Sequence, residues 1–312
     1  MEKTWTANYT LNIGEKVLYH FLYAVVYCIS LLPFRLLYLL SDMLYVIVMS
    51  VGYRKDVVNK NLMNSFPEKS PEEINDIRKR FYHFLCDSVV ETIKTASISR
   101  RSMQEHMQFE GIDIIKTAIE NGHGVALYLG HYCNWEWVTS IGLALHFDIF
   151  GCQVYHVLES KVMDKLMLRL RSKMDTTNVP MAEIMRAIIR EKQNGRLSVT
   201  GFISDQAPVI YSSPYWTTFL HQDTPFINGT ERLVRKLEIE PVYVDIRVVR
   251  RGYYQCRLSL LADNVKELPE GEVTERYARA LEQTIRRQPE YWLWTHNRWK
   301  RGRDDFFKAN KI

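Results

Sequence analysis

At 312 residues, 46% of them apolar and 25% charged, the chain has an ordinary globular composition, long enough for two domains or for one large α/β domain with an appendage. Disorder, collagen and low complexity are excluded for its bulk, and the net charge of +5 lacks the dense basicity of a dedicated nucleic-acid binder while suiting an anionic membrane surface or an acidic carrier. The five cysteines, Cys28, Cys86, Cys133, Cys152 and Cys256, are odd in number and include no C-x-x-C, which supports neither a disulfide framework nor a zinc ribbon and points to a reducing compartment. From Val17 to Val51 the only charged residues are Arg35 and Asp42, and Pro33 divides the stretch. Each half is about 24 Å of helix, slightly short of a membrane span. No small-residue cleavage site follows, so a signal peptide is not expected. Residues 1–52 therefore read as a membrane-associated segment, a tilted span or a hairpin in one leaflet, with a buried core pair as the alternative. Arg54, Lys55 and Lys60 follow at once and place the rest of the chain, 53–312, on the cytoplasmic side.

Ser70-Pro71-Glu72-Glu73 is a helix start, with Ser70 as cap and Glu73 closing a capping box. Apolar residues at three- and four-residue steps carry that helix to about Thr95. Gly111 to Asn121 reads as a helix, Val125 to Leu129 as a buried strand, and Asn134 to Leu145 returns to helical spacing. Ile149 to Val157 reads as strand, Lys161 to Lys173 and Ala182 to Lys192 as helices, and Leu197 to Ile203 as strand. Asn228 to Leu237 is helical. Val242 to Val249 and Tyr253 to Leu261 form a hairpin across Arg251-Gly252, and Val273 to Arg287 is the last clear helix. Strands alternating with helices give an α/β fold, a layered, mostly parallel sheet flanked by helices.

The segment that carries chemistry is Gly130-His131-Tyr132-Cys133-Asn134-Trp135-Glu136, between a strand and a helix. Sites in open α/β sheets lie at the carboxyl ends of strands. Asn134 is a good N-cap, which puts Glu136 in the first helical turn, where the macrodipole favours a carboxylate. On one continuous helix His131 and Glu136 would stand about 140° apart, but from the preceding turn His131 can fold back onto Glu136. A carboxylate on one ring nitrogen fixes the tautomer, and the other nitrogen can take a proton from a hydroxyl. By spacing alone, a buried His beside a capping Glu is the commoner arrangement.

This box resembles the His-x4-Asp/Glu box of lysophospholipid acyltransferases, and its Asn-Trp-Glu ending resembles the branch that adds late, secondary acyl chains to lipid A. Further segments are similar in order: Asn61-Leu62 with Phe66-Pro67, Val154 to Arg171, Ser204-Asp205-Gln206, Phe226 to Arg232, and Trp292 to Arg301. The resemblance spans about residues 15–303. It implies a glycerolipid acyltransferase-like fold and transfer of an acyl chain from acyl carrier protein, or acyl-CoA, to a hydroxyl of a lipid A precursor at the bacterial inner membrane, with no nucleic-acid partner. His131 is then the general base and Glu136 its partner. No cofactor or metal is implied, and H-E-x-x-H and Cys/His ligand clusters are absent from the sequence. Oxyanion or substrate candidates are Asn134 with the N–H groups beside it, Arg171, Arg169, Asp205, Gln206, Thr230, Glu231 and Arg298. For the arginines at 169 and 171 a solvated face or acceptor-phosphate binding is the alternative, for Asp205 a turn, for Thr230 and Glu231 an ordinary capped helix. The cationic and aromatic mix from Trp292 to Arg301 suits an anionic headgroup region or C-terminal packing. His156 stands where relatives carry Arg, and Cys133 where they carry Gly. Transfer to another membrane lipid, or a non-catalytic surface protein, are the competing functions.

Overall fold

The computed structural model describes residues 9–145 and 147–310; positions 1–8 of the expected N-terminal segment lie outside the described residues. In chain order the elements are α1 (Ile13–Ser30), α2 (Phe34–Val51), α3 (Lys55–Ser65), α4 (Pro71–Lys94), α5 (Arg100–His106), β1 (Met107–Glu110), α6 (Ile112–Glu120) and β2 (Val125–Leu129). Then come β3 (Ile149–Tyr155), α7 (Lys161–Arg171), β4 (Thr177–Pro180), α8 (Ile184–Gln193), β5 (Leu197–Ile203), β6 (Tyr215–Phe219) and β7 (Gln222–Phe226). The chain closes with α9 (Gly229–Leu237), β8 (Glu240–Arg250), β9 (Tyr253–Leu260), α10 (Glu272–Arg287) and α11 (Arg303–Ala309).

Among the described residues the main sheet has seven strands in the order β1-β9-β8-β2-β5-β3-β4, with β6 and β7 forming a separate two-stranded ribbon. Only the β8–β9 hairpin is antiparallel in the main sheet. The α/β class and the layering are as the sequence implies. β2, with all five residues buried, is central. The capping box of α4 forms as expected, Ser70 accepting from the Glu73 N–H and Glu73 from the Ser70 N–H.

Side chains alternate across a strand, so Leu127 and Leu129 of β2, Gly151 and Gln153 of β3, and Val199, Gly201 and Ile203 of β5 share one face, and all of them line a single cavity of about 1280 Å³. Its roof is the segment 134–145. That segment is a ten-residue 3₁₀ helix, Trp135–Ala144, where helical spacing predicts an α-helix. The Thr139 and Ser140 hydroxyls take the carbonyls of Glu136 and Trp137, three residues back, which favours the tighter winding.

α2 packs along its length on the domain rather than leaving it. Phe34 stacks on His106, Tyr38 donates to Glu91, Ser41 to Asp87, and Tyr45 meets His83, while Val48 and Met49 reach the core. Asp42, midway along α2, is paired with Arg251, which also holds Asp87. The opposite face, Leu36, Leu39, Met43, Val46 and Ile47, is exposed. α1 does the same against α7: Tyr19 packs on Val162 and Leu166, and Arg169 covers the Tyr23 ring at 3.7 Å, leaving Ile13, Val17, Leu18 and Phe21 exposed.

Candidate active site

β2 and β5 are parallel neighbours in which Leu129 faces Ile203. His131 and Asp205 each lie two residues beyond that pair, so both emerge at the same edge, as sites do in open α/β sheets. The His131 Nδ1 lies 2.6 Å from Asp205 Oδ1, and the His131 backbone N–H donates to Oδ2 at 2.8 Å. The Trp292 indole also donates to Oδ2, at 2.8 Å. Asp205 is buried. Burial alone would push its carboxyl up, but the His131 ring and these donors outweigh it and hold it down at about 2. Gly130 is required for this approach: a Cβ there would stand 2.6 Å from Leu281 Cδ1 and 3.2 Å from Asp205 Oδ2.

Because Nδ1 faces a carboxylate it carries the ring proton, which leaves the lone pair on Nε2. The Gln206 amide donates to that Nε2 at 3.1 Å. Trp135 meets the ring edge-on at 5.2 Å between centroids. His131, Trp135, Glu136, Arg171 and Gln206 all line the cavity.

The expected His131–Glu136 bond is not made. Glu136 instead forms a bidentate pair with Arg171 of α7, 2.8 Å from Nε to Oε2 and 2.6 Å from Nη2 to Oε1. The rigid guanidinium fork satisfies both carboxylate oxygens, and His131 is turned toward Asp205. The Arg171 charge is reinforced by that pairing against the cost of burial.

Other expected site residues are placed as follows. Asn134 caps the 3₁₀ helix by accepting from the Trp137 N–H at 3.1 Å, so that N–H is spent rather than open to a substrate. Arg169 binds Tyr19 and Tyr23 of α1 and does not line the cavity. Glu231 corrects the substrate reading: it is buried and accepts from the Gly271 N–H, the Thr274 N–H and the Thr274 hydroxyl at the start of α10, and pairs with Arg235. Those donors satisfy both of its oxygens. Thr230 bonds Ser204 and does line the cavity. Arg298 is 1% exposed, donates to the Pro225 carbonyl and packs on the Phe226 ring, so it cannot meet a headgroup.

In the segment Trp292–Arg301, Trp292, Trp294, Thr295 and Arg298 are buried scaffold, while Asn297 and Lys300 are exposed. The Leu293 N–H donates to the His131 carbonyl and the Cys133 N–H to the Tyr291 carbonyl, bracing the catalytic turn from behind. His296 Nε2 accepts from the Ala207 N–H, and Asn61 donates to the Trp294 and His296 carbonyls. Burial pushes His296 down to about 4, consistent with a neutral acceptor. Cys133 is buried with φ +50°, a left-handed conformation that favours glycine, and burial raises its thiol well above the usual range. It does not line the cavity.

Sequence reasoning named Asp205 as a substrate candidate or a turn residue, not as the partner of the imidazole. The equal two-residue offsets from paired strand ends were the available signal.

A family profile described as bacterial lipid A biosynthesis acyltransferase matches residues 9–301. The chain is also similar to a lipid A biosynthesis palmitoleoyltransferase of Escherichia coli (strain K12) and a lipid A biosynthesis acyltransferase of Shigella flexneri. Each is 23% identical over 254 residues, covering 79% of this chain and 79% of the relative.

Proposed function

Since the chain belongs to the bacterial lipid A biosynthesis acyltransferase family and is thus an acyltransferase, we propose that it moves a fatty acyl chain from an acyl carrier protein thioester to a hydroxyl of a lipid A precursor, with His131 as base. The observation that carries this reading is the Asp205–His131 pair opening on a large apolar cavity. Nε2 takes the acceptor hydroxyl proton as the oxygen attacks the thioester carbonyl. The C–S bond then breaks and the departing thiolate takes the proton back from the imidazolium. Asp205 holds the tautomer and offsets the imidazolium charge. Glu136 aims Arg171, whose Nη1 lies outside their bidentate pair, at the oxyanion or at an acceptor phosphate. Gln206, already donating to Nε2, is the second donor, released when the hydroxyl replaces it. Arg171 is the lining cation held against the catalytic helix by Glu136, while Arg100, Arg232 and Lys236 also line the cavity.

The acyl chain fits under the 3₁₀ roof, where Leu127, Val138, Ile141 and Val199 line the cavity. Gly151 pairs with Val199, which is four residues down β5 from Ile203, or about 13 Å below the catalytic edge. A Cβ on Gly151 meets nothing within 4 Å, so this glycine keeps the floor open. Purified protein given a series of acyl carrier protein thioesters and a lipid A precursor should add one acyl chain. Gly151→Leu should shorten the preferred chain by about two to four carbons. An unchanged chain preference in that variant would remove the chain from this channel, and transfer only to glycerophospholipid would overturn the acceptor.

The residues Leu158, Met181, Met185 and Val209 are apolar, exposed and on the cavity rim, which suits a mouth at a lipid surface. α1 and α2 lie on the bilayer in this reading, each with one face on the domain and the other in lipid. A helix tied to the domain from Phe34 to Met49 is not free to cross. The protein should stay in the membrane pellet through high salt, held by apolar contact, and cysteines at Leu31 and Lys55, beyond the two ends of α2, should both be labelled from the cytoplasmic side only. Release by salt alone, or labelling from the far side, would contradict this placement.

A further inference from the structure

Glu91 lies outside the reaction described above. It sits on α4, is 1% exposed, and faces three donors from three separate elements. Tyr38 of α2 donates to Oε1 at 2.9 Å; Asn134 Nδ2 and the Tyr254 hydroxyl of β9 each donate to Oε2 at 2.7 Å. Asn134 in turn caps the 3₁₀ helix through Trp137 N–H, and the Trp137 indole donates to Thr95, one turn beyond Glu91. That helix carries Trp135 against His131 and Glu136 on Arg171.

Resting on the acyl-transfer reading, we infer that Glu91 is a positioning residue for that reaction: it clamps Asn134 and with it the start of the 3₁₀ helix, and through Tyr38 it ties this catalytic turn to the lipid-facing helix α2. A buried carboxylate is costly unless its hydrogen bonds are made, and here one of the three goes to Asn134, at the entry of the helix that lines the site, and the other two tie that entry to α2 and β9. Burial pushes the carboxyl up to about 7 against the pull of those donors. A group held there at such cost in solvation is a poor choice for mere filling, since an apolar side chain of similar size would pack as well.

The donor–acceptor polarity of the Glu91–Asn134 contact can be reversed. Asn134→Asp keeps an oxygen for the Trp137 N–H but sets a second carboxylate against Glu91. Adding Glu91→Gln supplies an amide that donates to the new carboxylate and to the Tyr254 oxygen, and a carbonyl that accepts from Tyr38. We expect Asn134→Asp to lower kcat about 30-fold with KM for the thioester little changed, and the double variant to recover to within about fivefold of wild type. Hydrogen exchange across 134–145 should rise in the single variant and return in the double. The exchange readout does not need activity. An inactive wild type with restored protection would remove the acyl-transfer reading and leave the clamp standing. A double variant no better than Asn134→Asp in either readout, or a folded Glu91→Leu with wild-type kcat and exchange, would overturn the role of Glu91.

Discussion

Replacing His131 by alanine is expected to lower acyl transfer by about 10²- to 10⁴-fold, the usual worth of a positioned general base. No other group occupies its place: His296 holds the Ala207 N–H and is pushed down by burial. The fold should survive, because Asp205 keeps two donors when the imidazole goes, the backbone N–H of residue 131 and the Trp292 indole. A thermal midpoint within a few degrees of wild type, read alongside the transfer assay, separates lost chemistry from lost structure. Activity within tenfold of wild type would remove His131 as the base.

Asp205→Asn should be at least as severe, about 10³- to 10⁴-fold in kcat, for a reason specific to the geometry. The asparagine amide would donate to Nδ1 and drive the ring proton to Nε2, the nitrogen that must accept the hydroxyl proton. Glu136→Gln should cost far less, about tenfold, since an amide oxygen still meets Arg171 and only the charge is lost. The sign of the pH dependence follows from the depressed carboxyl. Asp205 is ionised at every pH above about 2, and its support to fold and ring is lost only as pH falls through that value. Loss of activity near neutrality therefore does not belong to Asp205. If Glu136→Gln were the more damaging change, the partner assigned to His131 would have to be exchanged.

Val125 to Leu129 was readable as a continuous apolar run and agrees to the residue, as does Leu197 to Ile203, where Ser198, Thr200 and Gly201 interrupt the apolar positions. The edge strands β1 and β4 are four residues long and carry polar or proline positions, too little pattern to register. The β6–β7 ribbon turns on Leu220 and His221, both at positive φ, where a turn normally announces itself with Asn or Gly. β7 also contains Pro225. At the site, the chemistry of His131 was legible from its box, whereas its partner was not. Five residues of sequence favoured Glu136, while strand pairing brings Asp205, 74 positions away, to the ring. For the tryptophans and cations near the C-terminus a headgroup surface and C-terminal packing both stayed open, because composition carries no burial. Trp292, Trp294 and Arg298 are core, and the Trp292 indole holds Asp205.

The most direct test of the whole account is the mass of lipid A from cells lacking this gene, compared with cells re-supplied with the wild-type chain or with His131→Ala. The account predicts lipid A lighter by one acyl chain in the deletion, restored by the wild type and not by the variant. Unchanged lipid A, with the missing chain found instead on a glycerophospholipid or an aminolipid, would contradict it.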